Sequence, residues 1–337
     1  MAAFRRAGLT VEVLGLGDPA SGPSDAHVRT RSRRGAFGRA GDAVVRPWQA
    51  RGRVLVVLDP DAVPAARLAG AVLRRPVVVD VHEDYAALAD DRRWSTGAVA
   101  PLVRGALAGV TRLARGADLT VVADEQVPPF AARQRLVVRN LPDTSMLPAP
   151  SPRDPQPRAL YVGDVRRSRG LFAMLDALAA APSWTLDVVG PVSATDQPEL
   201  DAWLASSPAA ARVRFHGRRP PAEAWALAQG AWAGLSLLEP TPAFTAAVPS
   251  KVYEYLACGL ACLVSPLPRQ AALVAEAGAG SAVAGAAEAA VVLESWAADP
   301  SVVDRLGASG RDYYERELGV SAYDDLAAHV AALVRGA

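Results

Sequence analysis

The sequence predicts an α/β protein built from two doubly wound parallel-sheet domains that face a central cleft. Short runs that are apolar on both faces alternate with helically spaced stretches from end to end. A proline-rich break interrupts that alternation near the middle of the chain. At 337 residues the chain is long enough for two separate cores.

The strand candidates in the first half are residues 11–14, 54–58, 77–81, 119–123 and 136–139. In the second half they are 160–162, 185–189, 213–216, 234–238 and 261–265. All are rich in Val and Leu without polar alternation, the pattern of strands covered on both faces by crossover helices. Residues 64–73, 99–115, 171–181 and 270–277 carry Leu, Val and Ala at helical spacing. Residues 22–53 are less regular. There Arg29, Arg31, Arg33, Arg34 and Arg39 lie among Gly and Ser and read as a solvated loop; a basic loop beside an acidic lipid surface or a lipid-diphosphate acceptor is the alternative. Prolines at 142, 148, 150, 152, 155 and 157 remove backbone donors and stiffen the chain. They set the expected organisation: a first domain over 1–145, a linker over 146–158, a second domain over 159–318 and a C-terminal helix over 319–337. The strand carboxyl ends of both domains are expected at the cleft, where such sheets take ligands.

Composition narrows the function class. Hydrophobic residues make up 51% and charged residues 21%, with a net charge of +1, a profile unlike a disordered chain or one that coats nucleic acid. No apolar run reaches the roughly 18 residues of a spanning helix, and the N-terminus lacks a signal-peptide layout, so the expected location is cytoplasmic. Cys258 and Cys262 straddle Gly259, at a helix end and in the next strand. They read as core thiols rather than a disulfide or zinc site.

Lys251 is the only lysine; the other 35 of the 36 Lys plus Arg are arginine. It lies in Val248-Pro249-Ser250-Lys251-Val252-Tyr253-Glu254-Tyr255-Leu256-Ala257-Cys258-Gly259, a loop feeding a short helix that stops at glycine. An ammonium is a compact, mobile point charge suited to following a phosphate, whereas guanidinium is a rigid fork. Ahead of it, Tyr161-Val162-Gly163-Asp164-Val165-Arg166-Arg167-Ser168-Arg169-Gly170 reads as strand, glycine, basic loop and helix start. Backbone amides and the helix dipole there face an anion, and Arg169 can fork two oxygens. Both segments fall at strand carboxyl ends, so Lys251 is expected at the same phosphates as Arg169. Glu254, one turn on, is placed to accept hydrogen bonds from a ribose diol. The simpler reading makes Lys251 and Glu254 a surface helical pair.

Taken in order, these segments resemble the nucleotide-sugar domain of family 4 glycosyltransferases with the GT-B fold, two facing Rossmann-like domains. The resemblance rests on Tyr-Val-Gly and Arg-Gly at 161–170, then Asp187-Val188-Val189-Gly190-Pro191, then Val213-Arg214-Phe215-His216-Gly217, then the Pro-x-Lys-x-x-Glu-Tyr variant at 249–255. In the first half Asp80-Val81-His82-Glu83-Asp84-Tyr85 is similar to the family's histidine motif. Arg115 to Val122 and Val138-Arg139-Asn140-Leu141-Pro142 are similarly placed.

The resemblance implies a retaining glycosyltransferase of hexosyltransferase type. It would move a sugar from a nucleotide-diphosphate donor to a glycan, glycolipid or cell-envelope acceptor in polysaccharide biosynthesis. No cofactor and no nucleic acid partner are implied. The lack of an Asp-x-Asp pair in a suitable position argues against a metal requirement. A lipid-linked acceptor and peripheral contact with the inner face of the membrane stay open. In this reading Arg169 and Lys251 hold the leaving diphosphate and Gly163 admits the sugar phosphate to the backbone. Glu254 holds the ribose, and His82 lies beside the transferred sugar. The chain departs from the family at Asp164, where arginine is usual, so that one phosphate contact is either missing or supplied by Arg166 or Arg167. It departs again at Ala246, in place of the first of two glutamates. Residues 1–8 read as a helix end without its beginning, which leads to the expectation that the first strand and Gly-rich loop of the first domain are missing. A catalytically impaired scaffold or partner-binding protein is the main alternative, and a nucleotide-sugar epimerase or a phosphorylase the lesser one.

Overall fold

The computed structural model describes the chain apart from residues 20, 21, 24, 33, 34, 87–99, 140, 143, 246, 247, 319 and 320, and the side chains of 36, 37, 243 and 321. Two compact units emerge, one of residues 1–140 with 320–337, the other of residues 141–319.

The first unit holds helix α1 (Ala2–Arg6), strands β1 (Glu12–Leu16) and β2 (His27–Arg31), and helix α2 (Ala36–Gln49). Then come β3 (Leu55–Val57), α3 (Val63–Leu73), β4 (Val77–Val81), α4 (Ala100–Arg115), β5 (Leu119–Val122) and β6 (Arg135–Val137). Strands β3 to β6 form a four-stranded parallel sheet in sequence order, with Leu55 opposite Val77, Val78 opposite Leu119 and Thr120 opposite Arg135. Side-chain alternation along β4 splits the core in two. Val77, Val79 and Val81 pack with Val63, Ala66 and Ala114 of α3 and α4. Val78 turns to the other face with Leu119 and Val121. That second face is closed by Phe4 and Leu9 near the start of the chain and by Val330, Leu326 and Tyr323 near its end.

The expected loop at 22–53 is corrected. Residues 27–31 form β2, paired in parallel with β1 from Glu12 opposite His27 to Leu16 opposite Arg31, and residues 36–49 form α2. The arginines decorate these elements. Arg29 pairs with Glu12 at 2.8 Å, Arg31 with the buried Asp42 at 2.9 Å, and Arg39 with Asp61 at 3.2 Å. Arg33 and Arg34 lie outside the described residues.

The second unit opens with β7 (Arg158–Val162), α5 (Leu171–Ala180), β8 (Thr185–Val189), α6 (Gln197–Ser206), β9 (Val213–Gly217), α7 (Pro221–Ala226) and β10 (Ala233–Ser236). It continues with α8 (Pro242–Thr245), α9 (Ser250–Cys258), β11 (Ala261–Val264), α10 (Pro268–Glu276), β12 (Gly280–Ala282), α11 (Ala286–Ala298) and α12 (Pro300–Glu317). Its six strands are parallel and run β12-β11-β10-β7-β8-β9 across the sheet. The chain winds outward from β7 to β9, then returns to the other side of β7 as β10. The switch point therefore falls between β7 and β10, where open α/β sheets bind ligands beyond the strand ends. The last helix, α13 (Ser321–Gly336), belongs to the first unit.

The proline-rich stretch lies within the second unit and is bonded to it. The Asp154 amide donates to Gly230 O at 2.8 Å, Trp232 Nε1 donates to Asp154 O at 2.8 Å, and Arg158 pairs with the Asp154 carboxylate at 2.9 Å. Cys258 ends α9 and Cys262 lies in β11, both buried, and burial pushes both thiols up to about 12. Among the described residues no helix is long and apolar enough to cross a membrane.

Candidate functional site

Strand β7 ends at Gly163, whose φ of +140° is open to glycine and strained for other residues. At the end of the neighbouring strand, a Cβ on Gly190 would lie 1.8 Å from Gly163 O. Two glycines thus let the ends of β7 and β8 close up beside the switch point. Beyond Gly163 the chain makes a short turn over Arg167–Arg169, then enters α5 through Gly170.

Helix α9 is laid on this strand end by Tyr255. Its ring fills the space above Gly234, where a Cβ would come within 2.2 Å of the ring. Its hydroxyl donates to Leu160 O of β7 and Leu235 O of β10, at 3.2 and 3.1 Å. That contact brings the first turn of α9, and with it Lys251, over the end of β7. Lys251 is 3% exposed. Its Nζ lies 3.7 Å from the centre of the Tyr161 ring and 3.3 Å from where a Cβ on Gly163 would sit. The Tyr161 hydroxyl donates to Asp164 O at 2.6 Å, which fixes the ring as a floor beneath the amine.

Lys251 Nζ, Arg166 Nε and Arg169 Nε are all buried without a hydrogen-bond partner among the described residues. Arg166 reaches the Asp164 carboxylate at 2.9 Å through its other end, and the Arg169 guanidinium lies 5.4 Å over the Phe244 ring. Arg167 turns away to Glu199 and stacks 4.5 Å over Phe172. Of the two arginines expected to replace the missing loop contact, Arg166 therefore stays at the site and Arg167 leaves it.

Burial pushes the Lys251 amine well below its ordinary range. The charge of Arg169 adds to that fall, while Glu254 and Asp164 oppose it. Burial raises the Glu254 carboxyl to about 7 against the pull of Lys251. The tyrosine floor is also held neutral, since burial raises the Tyr161 phenol. This region therefore offers buried cationic donors, a glycine backbone and a helix start, with a weakly acidic carboxyl one turn along. Such a set suits a phosphate-bearing ligand.

Gly163, Arg169, Lys251 and Glu254 are thus gathered in the second unit. His82 is in the first unit, just after β4, with its Nε2 3.5 Å from the Asp80 carboxylate. Ala246 lies outside the described residues. Asp187 and His216, read as motif positions, are joined to each other at 2.7 Å, and Asp187 also pairs with Arg158 at 3.0 Å. They form a hydrogen-bonded network along the sheet. Sequence reasoning missed Tyr161 as the seat of the amine and Phe244 as the partner of Arg169. Only the first left a signal, a tyrosine two residues before the strand-end glycine.

Residues 146–313 match the model of the family described as glycosyl transferases group 1. No curated protein matches the chain. Among solved structures, sucrose-phosphate synthase from Thermosynechococcus elongatus is similar at 16% identity, with a TM-score of 0.75 over 99% of this chain and 91% of that one. HepE from Anabaena, solved in complex with UDP, is similar at 14% identity, with a TM-score of 0.67 over 96% of this chain and 100% of that one. WaaG, a glycosyltransferase involved in lipopolysaccharide biosynthesis, is similar at 16% identity, with a TM-score of 0.64 over 100% of this chain and 94% of that one. At these identities the likeness bears on the fold. The chain therefore has the GT-B fold, and its residues 146–313 are similar to the glycosyl transferases group 1.

Proposed function

We propose that the protein is a retaining, metal-independent glycosyltransferase of the family 4 type, using a nucleoside-diphosphate sugar as donor and a glycan, glycolipid or cell-envelope acceptor. The observation that carries this reading is the set of three buried side-chain nitrogens without partners among the described residues, Lys251 Nζ, Arg166 Nε and Arg169 Nε, gathered about Tyr161 beside the Gly163 turn. Buried polar nitrogens of this kind are costly until a ligand satisfies them. The complexes of HepE with UDP and with UDP-glucose support a uridine nucleotide as the first donor to try.

In this reading the bond between the sugar and the diphosphate breaks, and negative charge builds on the leaving oxygens. Lys251 and Arg169 stabilise that charge together with the amides that open α5. Their help is strongest in a dry site, where charge interactions are least screened. Glu254 accepts the ribose hydroxyls. His82 acts beside the transferred sugar, a role that rests on the resemblance of its motif.

Incubation with UDP-glucose and candidate acceptors, following release of UDP, tests the reading. Acceptor-dependent release with retained anomeric configuration is expected. The ion pair between Asp164 and Arg166, which neutralises one cation at the loop, favours the impaired-scaffold alternative. That alternative predicts nucleotide binding without UDP release from any donor.

A further inference from the structure

Lys251 differs from the other cations of the site in what surrounds it. Its Nζ has no hydrogen-bond partner among the described residues and faces the Tyr161 ring at 3.7 Å. A ring face is a weak partner for an ammonium, and a buried charge of one sign costs several kcal/mol unless it is paired. Each element packed around it contributes a charge or a titratable group. Glu254 lies on α9 itself, Tyr161 on β7, Asp164 just beyond β7, and Arg169 on the turn before α5. Two carboxylates therefore oppose one guanidinium, yet no carboxylate comes within ion-pair distance of the amine among the described residues. Asp164 is already held by Arg166 at 2.9 Å. Glu254 is itself pushed by burial toward its neutral form.

We propose that Lys251 is an uncharged amine in the ligand-free pocket and takes up a proton as a diphosphate seats between it, Arg166 and Arg169. This rests on the nucleotide reading of the site and goes beyond it, because it assigns the charge of the site to the ligand-bound state. A neutral amine satisfies the dry pocket when it is empty. The incoming phosphate oxygens then supply the counter-charge that makes the ammonium stable. The proton comes from solvent: an N–H bond forms on the amine as an O–H bond breaks in hydronium or buffer acid, and no other bond changes. Binding is thereby linked to pH. Above the amine's ligand-free pKa and below its ligand-bound pKa, diphosphate affinity falls up to tenfold for each unit of pH. A ligand that keeps the nucleoside but lacks the phosphates does not charge the lysine, so uridine binds without this dependence.

Because Lys251 is the only lysine in the chain, labelling lysine with 13C and 15N gives one side-chain signal, which reports the charge of this amine directly. At pH 8 the full chain should show a neutral amine that moves to the ammonium position on adding pyrophosphate or UDP. Calorimetry in buffers of different ionisation enthalpy should show net proton uptake with both ligands. Lys251→Met should still bind UDP, more weakly and without that uptake. Glu254→Gln should keep it. An ammonium signal in the ligand-free protein would overturn the proposal, as would UDP binding without uptake. Uptake that survives in Lys251→Met but vanishes in Glu254→Gln would transfer the role to the carboxyl and also overturn it. If neither UDP nor pyrophosphate binds, the nucleotide reading fails and the proposal fails with it.

Discussion

Lys251 and Arg169 occupy one pocket by different means. The lysine stands over an aromatic floor, and the arginine lies against Phe244 with one nitrogen buried and without a hydrogen-bond partner among the described residues. Replacing either by alanine removes a charge-assisted contact. Lys251→Ala and Arg169→Ala are each expected to lower nucleotide-sugar turnover by about tenfold or more, read as UDP release. Arg169→Lys should lose less, since a point charge remains. His82→Ala should lower turnover while leaving UDP affinity nearly intact, and unchanged turnover would remove His82 from the chemistry. Glu254 carries a pH signature. Its carboxyl lies at about 7 when folded, above the 4.5 of an unperturbed glutamate, so between these values the folded chain binds more protons than the unfolded one. Stability is then lost as pH rises from about 4.5 through about 7, by about 3 kcal/mol at most. Lys251, whose amine burial pushes down, contributes a slope of the opposite sign in both proteins, so in denaturation the stability of the wild type relative to Glu254→Gln is the quantity that should fall across pH 5 to 8.

At the scale of elements, the seat of α9 decides whether the site exists. Tyr255→Phe removes both hydrogen bonds to the β7 and β10 carbonyls and leaves those buried acceptors unmatched. A loss of about 1–3 kcal/mol is expected in urea denaturation, with weaker UDP binding. Gly234→Ala pushes a methyl into the Tyr255 ring and should cost more. The strands that form the sheet centres were legible as sequence. Residues 77–81 and 185–189 are rich in Val and Leu, broken by Asp80 in the first and by Thr185 and Asp187 in the second, because helices cover both faces, and the observed strands have those bounds. Strand β2 was not legible. In His27–Arg31 every second residue is exposed, and with arginine at two of those positions the strand reads as a charge run. Helix α2 hid for a related reason, with arginines, glycines and an internal proline in a stretch where Asp42 is the buried polar anchor among the described residues. The candidate site was half legible. A lone lysine among arginines and a glycine after a strand mark two of its walls. The placement of Lys251 over Tyr161, and of Arg169 over Phe244, depends on contacts between segments far apart in sequence, which local spacing does not encode.

At the scale of the molecule, the two units are built differently along the chain. The second is one continuous stretch, residues 141–319. The first is interrupted by it and regains residues 320–337 only after the second is complete. On the face of the first sheet that holds Val78, Leu119 and Val121, the cover includes Leu326, Val330 and Leu333 of α13. Val330→Asp is expected to raise amide hydrogen exchange in β4 and β5, measured by mass spectrometry, because a carboxylate replaces a buried apolar contact on their shared face.

That discontinuity sets an order of events during synthesis. As the ribosome releases the chain from its amino end, β3 to β6 emerge early, but the α13 residues that help seal one side of their sheet are translated only after residues 141–319. The second unit has all its residues in hand sooner and can fold while the earlier unit still lacks the α13 cover over Val78, Leu119 and Val121. Folding thus finishes at the beginning of the chain. Nascent chains stalled just short of residue 320 should resist protease over 141–319 and remain open to it over 1–140.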